Sequence, residues 1–183
     1  AINFGLLYGM SAFGLAKQLG VAPPEAQAYI DAYFARYPTV QDYMRKTREQ
    51  AATHGYVKTL LGRKLYTPDM HHANRNVRNA AERAAINAPL QGSAADIIKL
   101  AMIAVQDALN AADLNDAATL LLQVHDELVF EVEQDQVEQV RKIVQTAMQN
   151  VLTDTAPQLG WTVDFAVPLV VEVGVGSNWD EAH

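Results

Sequence analysis

Two adjacent carboxylates, Asp126 and Glu127, lie between two apolar runs and are the residues of this chain best suited to chemistry. Neighbouring carboxylates repel each other unless a cation lies between them. Mg²⁺ is the usual cation, because it prefers one or two protein carboxylates together with substrate phosphates. The alternative is a solvated turn, where Asp is favoured because its side chain bonds to the local backbone. The pair alone leaves both interpretations open.

The apolar runs on either side of this pair predict two short strands. Residues 128–133 alternate between two faces with the period of a half-buried strand. Residues 120–124 place three apolar side chains on one face of another strand. We therefore predict a tight hairpin that carries the carboxylates at or beside its turn. The turn contains no Asn-Gly or Asp-Gly pair, so local propensity does not account for it.

A second polar set recurs every four residues in an alanine-rich stretch. Its members are Arg75, Asn79, Arg83 and Asn87. Helical spacing places them on one slowly drifting face. Arg donates hydrogen bonds, and Asn both donates and accepts them, which suits base edges and phosphates. The alternative is an ordinary polar helix surface.

Near the N-terminus, Phe4 and Tyr8 are spaced to share one helix face. Gly5 and Gly9 repeat the same spacing beside them. Glycine is unfavourable inside a helix, so two glycines at this spacing indicate that something comes close to that face. An aromatic pair beside a glycine track would form a stacking platform for a flat ligand such as a base. Ordinary packing of one helix on another is the alternative.

The remaining pattern predicts a mostly helical chain. The predicted helices cover residues 1–19, 23–37, 38–54, 74–87, 91–111 and 134–152, with Pro89 interrupting one pattern and Ser93 and Asp96 in a capping arrangement for the next. Residues 55–67 predict a small hairpin whose basic tip, Arg63 and Lys64, grips a phosphate backbone or is a solvated turn. Residues 167–175 predict a further strand.

Composition restricts the class of protein. The chain has 183 residues and no cysteine, which suits a cytosolic enzyme and excludes disulfides and thiolate zinc sites. No uninterrupted apolar run approaches the length of a membrane span. Residues 1–100 hold 12 Lys or Arg and 7 Asp or Glu, whereas residues 101–183 hold 2 and 14. A basic half joined to an acidic half suits a phosphate-binding surface facing a metal-binding floor, or merely an uneven surface. The chain does not begin with Met, and we expect it to be a fragment.

Three segments together resemble known motifs. Residues 3–10 (NFGLLYGM) are similar to the second half of motif B of family-A DNA polymerases, the bacterial DNA polymerase I group. Residues 81–97 (AERAAINAPLQGSAADI) resemble the next conserved palm segment, and residues 123–129 (QVHDELV) match motif C. Their order and separation agree over essentially the whole chain, whose ending also looks like that of the family. We identify a C-terminal fragment that covers the end of the fingers and most of the palm.

The resemblance implies a role for each matching residue. Asp126 and Glu127 bind the catalytic metals, which are two Mg²⁺ ions in the intact enzyme. Phe4 lies against the incoming nucleotide and Tyr8 covers the templating position. The residues implied to contact DNA are Arg78 at the template backbone, Arg83, Asn87 and Gln91 at the minor groove, and His125 near the primer terminus. A donor-rich face in the minor groove checks pair geometry without reading sequence, because A·T and T·A present similar acceptors there.

The implied function is template-directed DNA synthesis by two-metal catalysis in a cytoplasmic enzyme. The partners it implies are primer-template DNA, dNTP and the rest of the polymerase chain. No contact with a membrane is expected. The fold expected is α+β, an antiparallel palm sheet around the central hairpin packed on long helices. Residues 1–54 form a helical fingers remnant, and residues 55–183 form the palm, with the motif C hairpin at 119–133.

The sequence departs from the family pattern in what it lacks. It contains no motif A segment with its metal-bridging aspartate, no thumb, and not the Arg and Lys that begin motif B and bind the triphosphate. We therefore expect the 183 residues alone to be inactive. The alternatives are a helical DNA-binding module without chemistry, and a metal-dependent nuclease with a second carboxylate cluster beside Asp126.

Overall fold

The computed structural model describes residues 2–182 and the side chains of residues 5–182. The chain forms two compact units, Ala1–Gly92 and Ser93–His183, whose boundary falls inside the longest helix. The helices are α1 (Ile2–Leu7), α2 (Ala12–Leu19), α3 (Pro23–Arg36), α4 (Pro38–His54), α5 (Arg75–Ala111), α6 (Val137–Gln149), α7 (Ala156–Gln158) and α8 (Trp179–Ala182). The strands are β1 (Tyr56–Lys58), β2 (Lys64–Tyr66), β3 (Ala118–Val124) and β4 (Glu127–Val132). This mixture of helices and antiparallel strands confirms the α+β class.

The helix predicted over residues 1–19 is broken in two, and Gly9 is the cause. Gly9 has φ +79° and ends α1, with its N–H donating to the Leu6 carbonyl and the Met10 N–H to the Gly5 carbonyl. This pair of bonds is the Schellman ending, in which a left-handed residue satisfies the last carbonyls of a helix. Ser11 then begins α2, because its hydroxyl accepts the Gly14 N–H at 3.2 Å.

The next two helices lie where the prolines predict them. α3 and α4 begin at Pro23 and Pro38, where the missing N–H and the fixed φ of proline suit the first turn. α2 and α3 bury a small core against α1. Its members are Leu6, Leu15, Ala16, Ala26 and Ile30. The helices predicted before residue 55 are therefore present, with a turn at residues 8–11 that the spacing did not indicate.

The predicted hairpin at residues 55–67 forms from β1 and β2, with Val57 opposite Leu65 on its inner face. Val57 is fully buried and packs with Ala85 of α5. Gly92 makes the close approach to α5 possible, because a Cβ there would lie 2.7 Å from Cγ2 of Thr59 and 3.0 Å from Cδ1 of Leu65. The sequence therefore uses glycine at this place in α5 to let the hairpin pack against the helix.

The prediction that Pro89 separates two helices is wrong, because α5 runs without a break from Arg75 to Ala111. Proline has no N–H for the carbonyl four residues earlier and crowds that turn. The hydroxyl of Tyr43 donates to the neighbouring Ile86 carbonyl at 2.8 Å, and Ala85 and Ile86 are buried. Burial also raises the pKa of Tyr43. Tertiary contacts thus hold a helix that local propensity would end.

α5 begins where the sequence predicts, whereas Ser93 does not cap a helix as expected. The Asn74 side chain accepts the Asn76 N–H at 2.9 Å, which caps the first turn. Ser93 and Asp96 lie in the helix interior.

The predicted central hairpin is present as β3 and β4, joined by the two residues His125 and Asp126. Leu121 is an extra residue in β3, between the pairs Leu120–Phe130 and Leu122–Val129. Such bulges bend a strand and re-aim its side chains. His125 has φ +52°, and among the described residues Asp113 is the other non-glycine residue with positive φ. A positive φ at the first loop residue belongs to primed turns, where glycine is preferred.

The second unit is built on the C-terminal half of α5. Its buried core joins α5 and α6 to the hairpin and comprises Val105, Leu109, Leu114, Ala118, Val140 and Val144, with Phe130 and Val132 packed against it. The prediction of a strand at 167–175 is wrong, since these residues form no strand. The Val171 carbonyl instead accepts the Gln145 side-chain amide at 2.7 Å. Around Asp126 the described sheet therefore consists of β3 and β4.

α5 is long and apolar enough to cross a membrane, judged by length and composition alone. Core helices of soluble proteins can share both properties, so they are weak evidence for a membrane span.

Replacing Gly92 with Ala should destabilise the first unit. Overpacking against Thr59 and Leu65 costs about 1–3 kcal/mol, whereas removing a glycine from a helix gains about 0.5–1 kcal/mol. We expect a net loss of about 1–2 kcal/mol in the free energy of unfolding. Urea unfolding followed by far-ultraviolet circular dichroism measures it. Gly14→Ala is the control, because a Cβ there meets only flexible side chains of Met10 and Ser11. Equal effects at both positions would contradict the packing argument.

Replacing His125 with Gly should stabilise the second unit. The left-handed conformation costs a non-glycine residue about 1–2 kcal/mol, and the extra chain entropy of glycine costs about 0.5–1 kcal/mol. The balance is a gain of about 0.5–1 kcal/mol. Tryptophan fluorescence measures it selectively, because both tryptophans, Trp161 and Trp179, belong to this unit. Asp126 does not have a positive φ, so Asp126→Gly relieves no strain and should lower the stability of the second unit. A lower free energy of unfolding for His125→Gly would contradict the argument that the turn is strained.

Candidate metal and nucleic-acid sites

The turn of the β3–β4 hairpin presents the sequence-predicted carboxylates. His125 and Asp126 lie in the turn, and Glu127 is half-buried as the first residue of β4, opposite Val124. The Gln123 side-chain amide donates to the His125 carbonyl and so ties the strand to the turn. The structure therefore places Asp126 and Glu127 together at the tip of a short ribbon, as the sequence predicts.

The carboxylate pair has the right chemistry for a hard divalent cation, but it is a partial ligand set. Mg²⁺ requires near-octahedral oxygen ligands, of which a protein commonly supplies one or two carboxylates. Asp126 and Glu127 can supply those two. Within residues 2–182 no group of three or more His, Asp or Glu side chains is placed to hold a metal. The second carboxylate cluster that a nuclease requires is thus not found in the described part of the chain.

The four-residue stripe lies along α5, as predicted. The same spacing continues to Gln91, and we call Arg83, Asn87 and Gln91 the polar row. Arg83 and Gln91 are exposed. Asn87 is half-buried, and its Oδ1 is shielded without a hydrogen-bond partner among the described residues. Polar atoms shielded in this way are rare in folded proteins and are usually satisfied by a ligand or water. The exposed Arg83 and Gln91 therefore offer guanidinium and amide groups to an external partner, whereas the Oδ1 of Asn87 does not reach the surface.

Gly9 and Arg83 contact each other, which connects the α1 turn to this row. A Cβ at Gly9 would lie 3.2 Å from Cγ and 3.9 Å from Cδ of Arg83. The glycine track predicted a close neighbour, and at Gly9 that neighbour is the aliphatic part of Arg83. At Gly5 the neighbour is the Met10 side chain. Each glycine thus accommodates a side chain of the first unit.

Of the predicted aromatic pair, the side chain of Tyr8 lies within the described residues. Tyr8 is half-buried and lies in the turn after α1, beyond the last helical residue. The side chain of Phe4 lies outside the described residues, so the shared face of the pair stays a prediction. Arg78, also predicted to contact DNA, is half-buried and donates from Nη1 to the His72 carbonyl at 3.1 Å.

Sequence reasoning missed the residues that support these sites. Tyr43 and Gly92 hold α5 and the small hairpin in place, and neither stood out by type or spacing. Arg63, considered as a phosphate grip, donates from Nη2 to the Gly92 carbonyl at 3.0 Å. A glycine inside a helix often has a packing reason, but the break predicted at Pro89 placed Gly92 at the start of a helix, where this signal is weak.

Comparison with known proteins places this geometry in a family. The model of DNA polymerase family A matches residues 1–181. The DNA polymerase I of Pseudomonas aeruginosa is 59% identical over the whole chain, which spans 19% of that protein. The DNA polymerase I of Mycobacterium tuberculosis is 50% identical over 182 residues, 100% of this chain and 19% of that protein. The chain therefore spans about a fifth of the length of these curated relatives.

A solved structure agrees in fold as well as sequence. It is described as the POL domain of Pol1 from M. smegmatis in complex with DNA primer-template and dNTP. The match has a TM-score of 0.87 and 46% identity, and it covers 99% of this chain and 30% of that one. Because the family model covers almost every residue and the fold agrees, the resemblance of the three motifs is confirmed, and this chain belongs to DNA polymerase family A.

Proposed function

We propose that the longer enzyme to which this chain corresponds carries out template-directed DNA synthesis, transferring nucleotides from dNTP to a primer 3′-hydroxyl. The observation that carries the proposal is the match over 99% of the chain to a polymerase domain described with primer-template and dNTP. Relatives named DNA polymerase I at 46–59% identity support it. In this proposal primer-template DNA, dNTP and the rest of the polymerase chain are the partners, and the cytoplasm is the location.

Asp126 and Glu127 are the proposed metal ligands. When magnesium is bound, the chemistry it supplies is activation of the primer 3′-hydroxyl and stabilisation of the charge that develops during phosphoryl transfer. The chain contributes two carboxylates at the tip of a bulged ribbon, where the strained turn fixes their position. Because these are only part of a ligand set, the remaining ligands come from chain outside the 183 residues. His125, in the same turn, is proposed to lie near the primer terminus.

The polar row of α5 is the proposed contact with the minor groove of the newly formed pairs. Arg83 and Gln91 are exposed donors, and the amide of Asn87 both donates and accepts. Donors in the minor groove meet acceptors common to all correct pairs, which tests shape without selecting sequence. The contact between Gly9 and Arg83 supports a link from the turn at Tyr8 to this row. Phe4 and Tyr8 are the proposed contacts with the incoming nucleotide and the templating position, and Arg78 with the template backbone.

The 183-residue chain by itself should extend a primer no faster than a protein-free reaction. The physical reason is that two carboxylates leave the ions under-coordinated, so their occupancy at millimolar Mg²⁺ is low. Extension of a labelled primer-template, with the longer polymerase as positive control, measures the activity. Circular dichroism shows that the chain is folded in the same sample. Measurable incorporation by the 183 residues would overturn the shared metal site.

In the longer polymerase, Asp126→Ala should separate chemistry from binding. Loss of a metal ligand removes several kcal/mol of transition-state stabilisation, which corresponds to about a thousandfold in rate. Primer-template affinity should change less than about threefold, because phosphate contacts dominate it. Single-turnover extension gives the rate and fluorescence anisotropy gives the affinity.

Glu131→Ala is the matched control, since Glu131 is an exposed carboxylate of β4 in the same hairpin. It should leave both the rate and the affinity unchanged. If Asp126→Ala weakened DNA binding as much as it slowed the reaction, the metal-binding role of Asp126 would be wrong. If it altered neither, a DNA-binding module without chemistry would be favoured.

A further inference from the structure

The outer face of the β1–β2 hairpin carries an aromatic pair next to a lysine pair. The strand register places Tyr56 opposite Tyr66 and Lys58 opposite Lys64. Val57 and Leu65 take up the inner face, so these four side chains share the other side of the ribbon. We call the surface formed by Tyr56, Lys58, Lys64 and Tyr66 the ribbon face. It lies entirely within the first unit.

Of the two tyrosine rings of the ribbon face, that of Tyr66 is open to solvent. The centroids of Tyr56 and Tyr66 are 6.1 Å apart with the planes at 68°, and the His54 ring centroid lies 6.0 Å from that of Tyr56. Tyr66 is 75% exposed. An aromatic side chain that remains in water contributes little to folding, because the hydrophobic gain scales with the area buried. Tyr66 is therefore available to stack on a partner.

The charges of the ribbon face are unfavourable for the isolated fold. Like charges directly opposite each other across two strands destabilise the pair. Lys58 and Lys64 are so placed, and the sequence has no Asp or Glu between Glu49 and Asp69. Lys64 Nζ lies 4.5 Å from the centroid of the Tyr56 ring, a cation–π contact that holds its charge on the face. An anionic ligand would remove the repulsion between the lysines.

We propose that the ribbon face binds a single strand of nucleic acid, with a base stacked on Tyr66 and phosphates beside Lys58 and Lys64. Exposed rings reach base faces only where the bases are unstacked from a duplex, and a positive surface beside such rings is how single strands are bound without sequence preference. The inference rests on the proposed function in one respect, namely that the single strand is DNA. It adds a binding surface outside the polar row of α5 and the carboxylate turn.

Tyr66→Ala should weaken binding of the 183-residue chain to a fluorescent oligothymidylate of about 12 nucleotides by at least about fivefold. Tyr66→Phe keeps the ring and should bind within about twofold of the unchanged chain, since stacking needs no hydroxyl. Tyr29→Ala is the matched control, because Tyr29 is 52% exposed on α3 of the same unit. Anisotropy titrations give the dissociation constants, and thermal unfolding shows that each variant is folded.

Lys58→Glu gives the sharper result, because binding should weaken without any loss of stability. The substitution places a carboxylate opposite Lys64 across the strands, so the thermal midpoint should rise or stay unchanged. Binding should weaken, and the slope of log K against log salt should become shallower by about 0.7 for each phosphate that the chain no longer neutralises. Lys17→Glu makes the same charge change on the exposed surface of α2 and should leave binding unchanged.

The inference is overturned if Tyr66→Ala and Lys58→Glu bind like the unchanged chain, or if Lys17→Glu weakens binding as much as Lys58→Glu. It is also overturned if poly-glutamate competes as well as oligothymidylate at equal charge, which would show an acidic polypeptide as partner. Primer extension by the longer polymerase is scored separately. Loss of extension on Asp126→Ala with normal oligothymidylate binding tests the proposed function alone, so the two can fail independently.

Discussion

The packing of α5 around Pro89 is the constraint on which the first unit depends. The helix carries the polar row on its first half and the core beneath the carboxylate hairpin on its second. A proline in its middle removes one backbone hydrogen bond and crowds the preceding turn. The Tyr43 hydroxyl on the Ile86 carbonyl and the buried Ala85 oppose this cost. Both lie in the first unit, so the continuity of α5 is secured by the helices and hairpin packed around its N-terminal half.

Two glycines determine how closely other segments approach this helix. Gly92 admits the β1–β2 hairpin, whose side chains would collide with a Cβ, and its carbonyl accepts a bond from Arg63. Gly9 ends α1 by adopting a left-handed conformation and leaves space for the stem of Arg83. At Gly92 the requirement is one of packing alone, whereas Gly9 combines packing with a backbone conformation. A side chain at Gly9 would therefore meet resistance from the neighbouring segment as well as from its own backbone.

Sequence reasoning predicted the parts whose cause is local. Proline at the first turn of α3 and α4, and alternation in residues 128–133, act through neighbours in the chain, and the corresponding elements are present. It failed where distant residues decide. The helix through Pro89 needs Tyr43, which lies 43 residues before Ile86. The strand expected at 167–175 has strand-forming residues, but apolar alternation does not by itself supply a neighbouring strand for the hydrogen bonds.

The candidate site was predictable to the level of side-chain type but not of conformation. Asp126 and Glu127 stand out as a charged break between apolar runs, whereas nothing in their type shows that His125 carries a positive φ and that β3 contains a bulge. Strain and bulges of this kind persist only when the surrounding structure enforces them, and they concentrate where a side chain must be aimed. The hairpin is held by its core contacts through Phe130 and Val132 at one end and is strained at the other. Because the positive φ of His125 adjoins Asp126 in the turn and Glu127 at the start of β4, the fold gives up stability next to the place where the two carboxylates are presented.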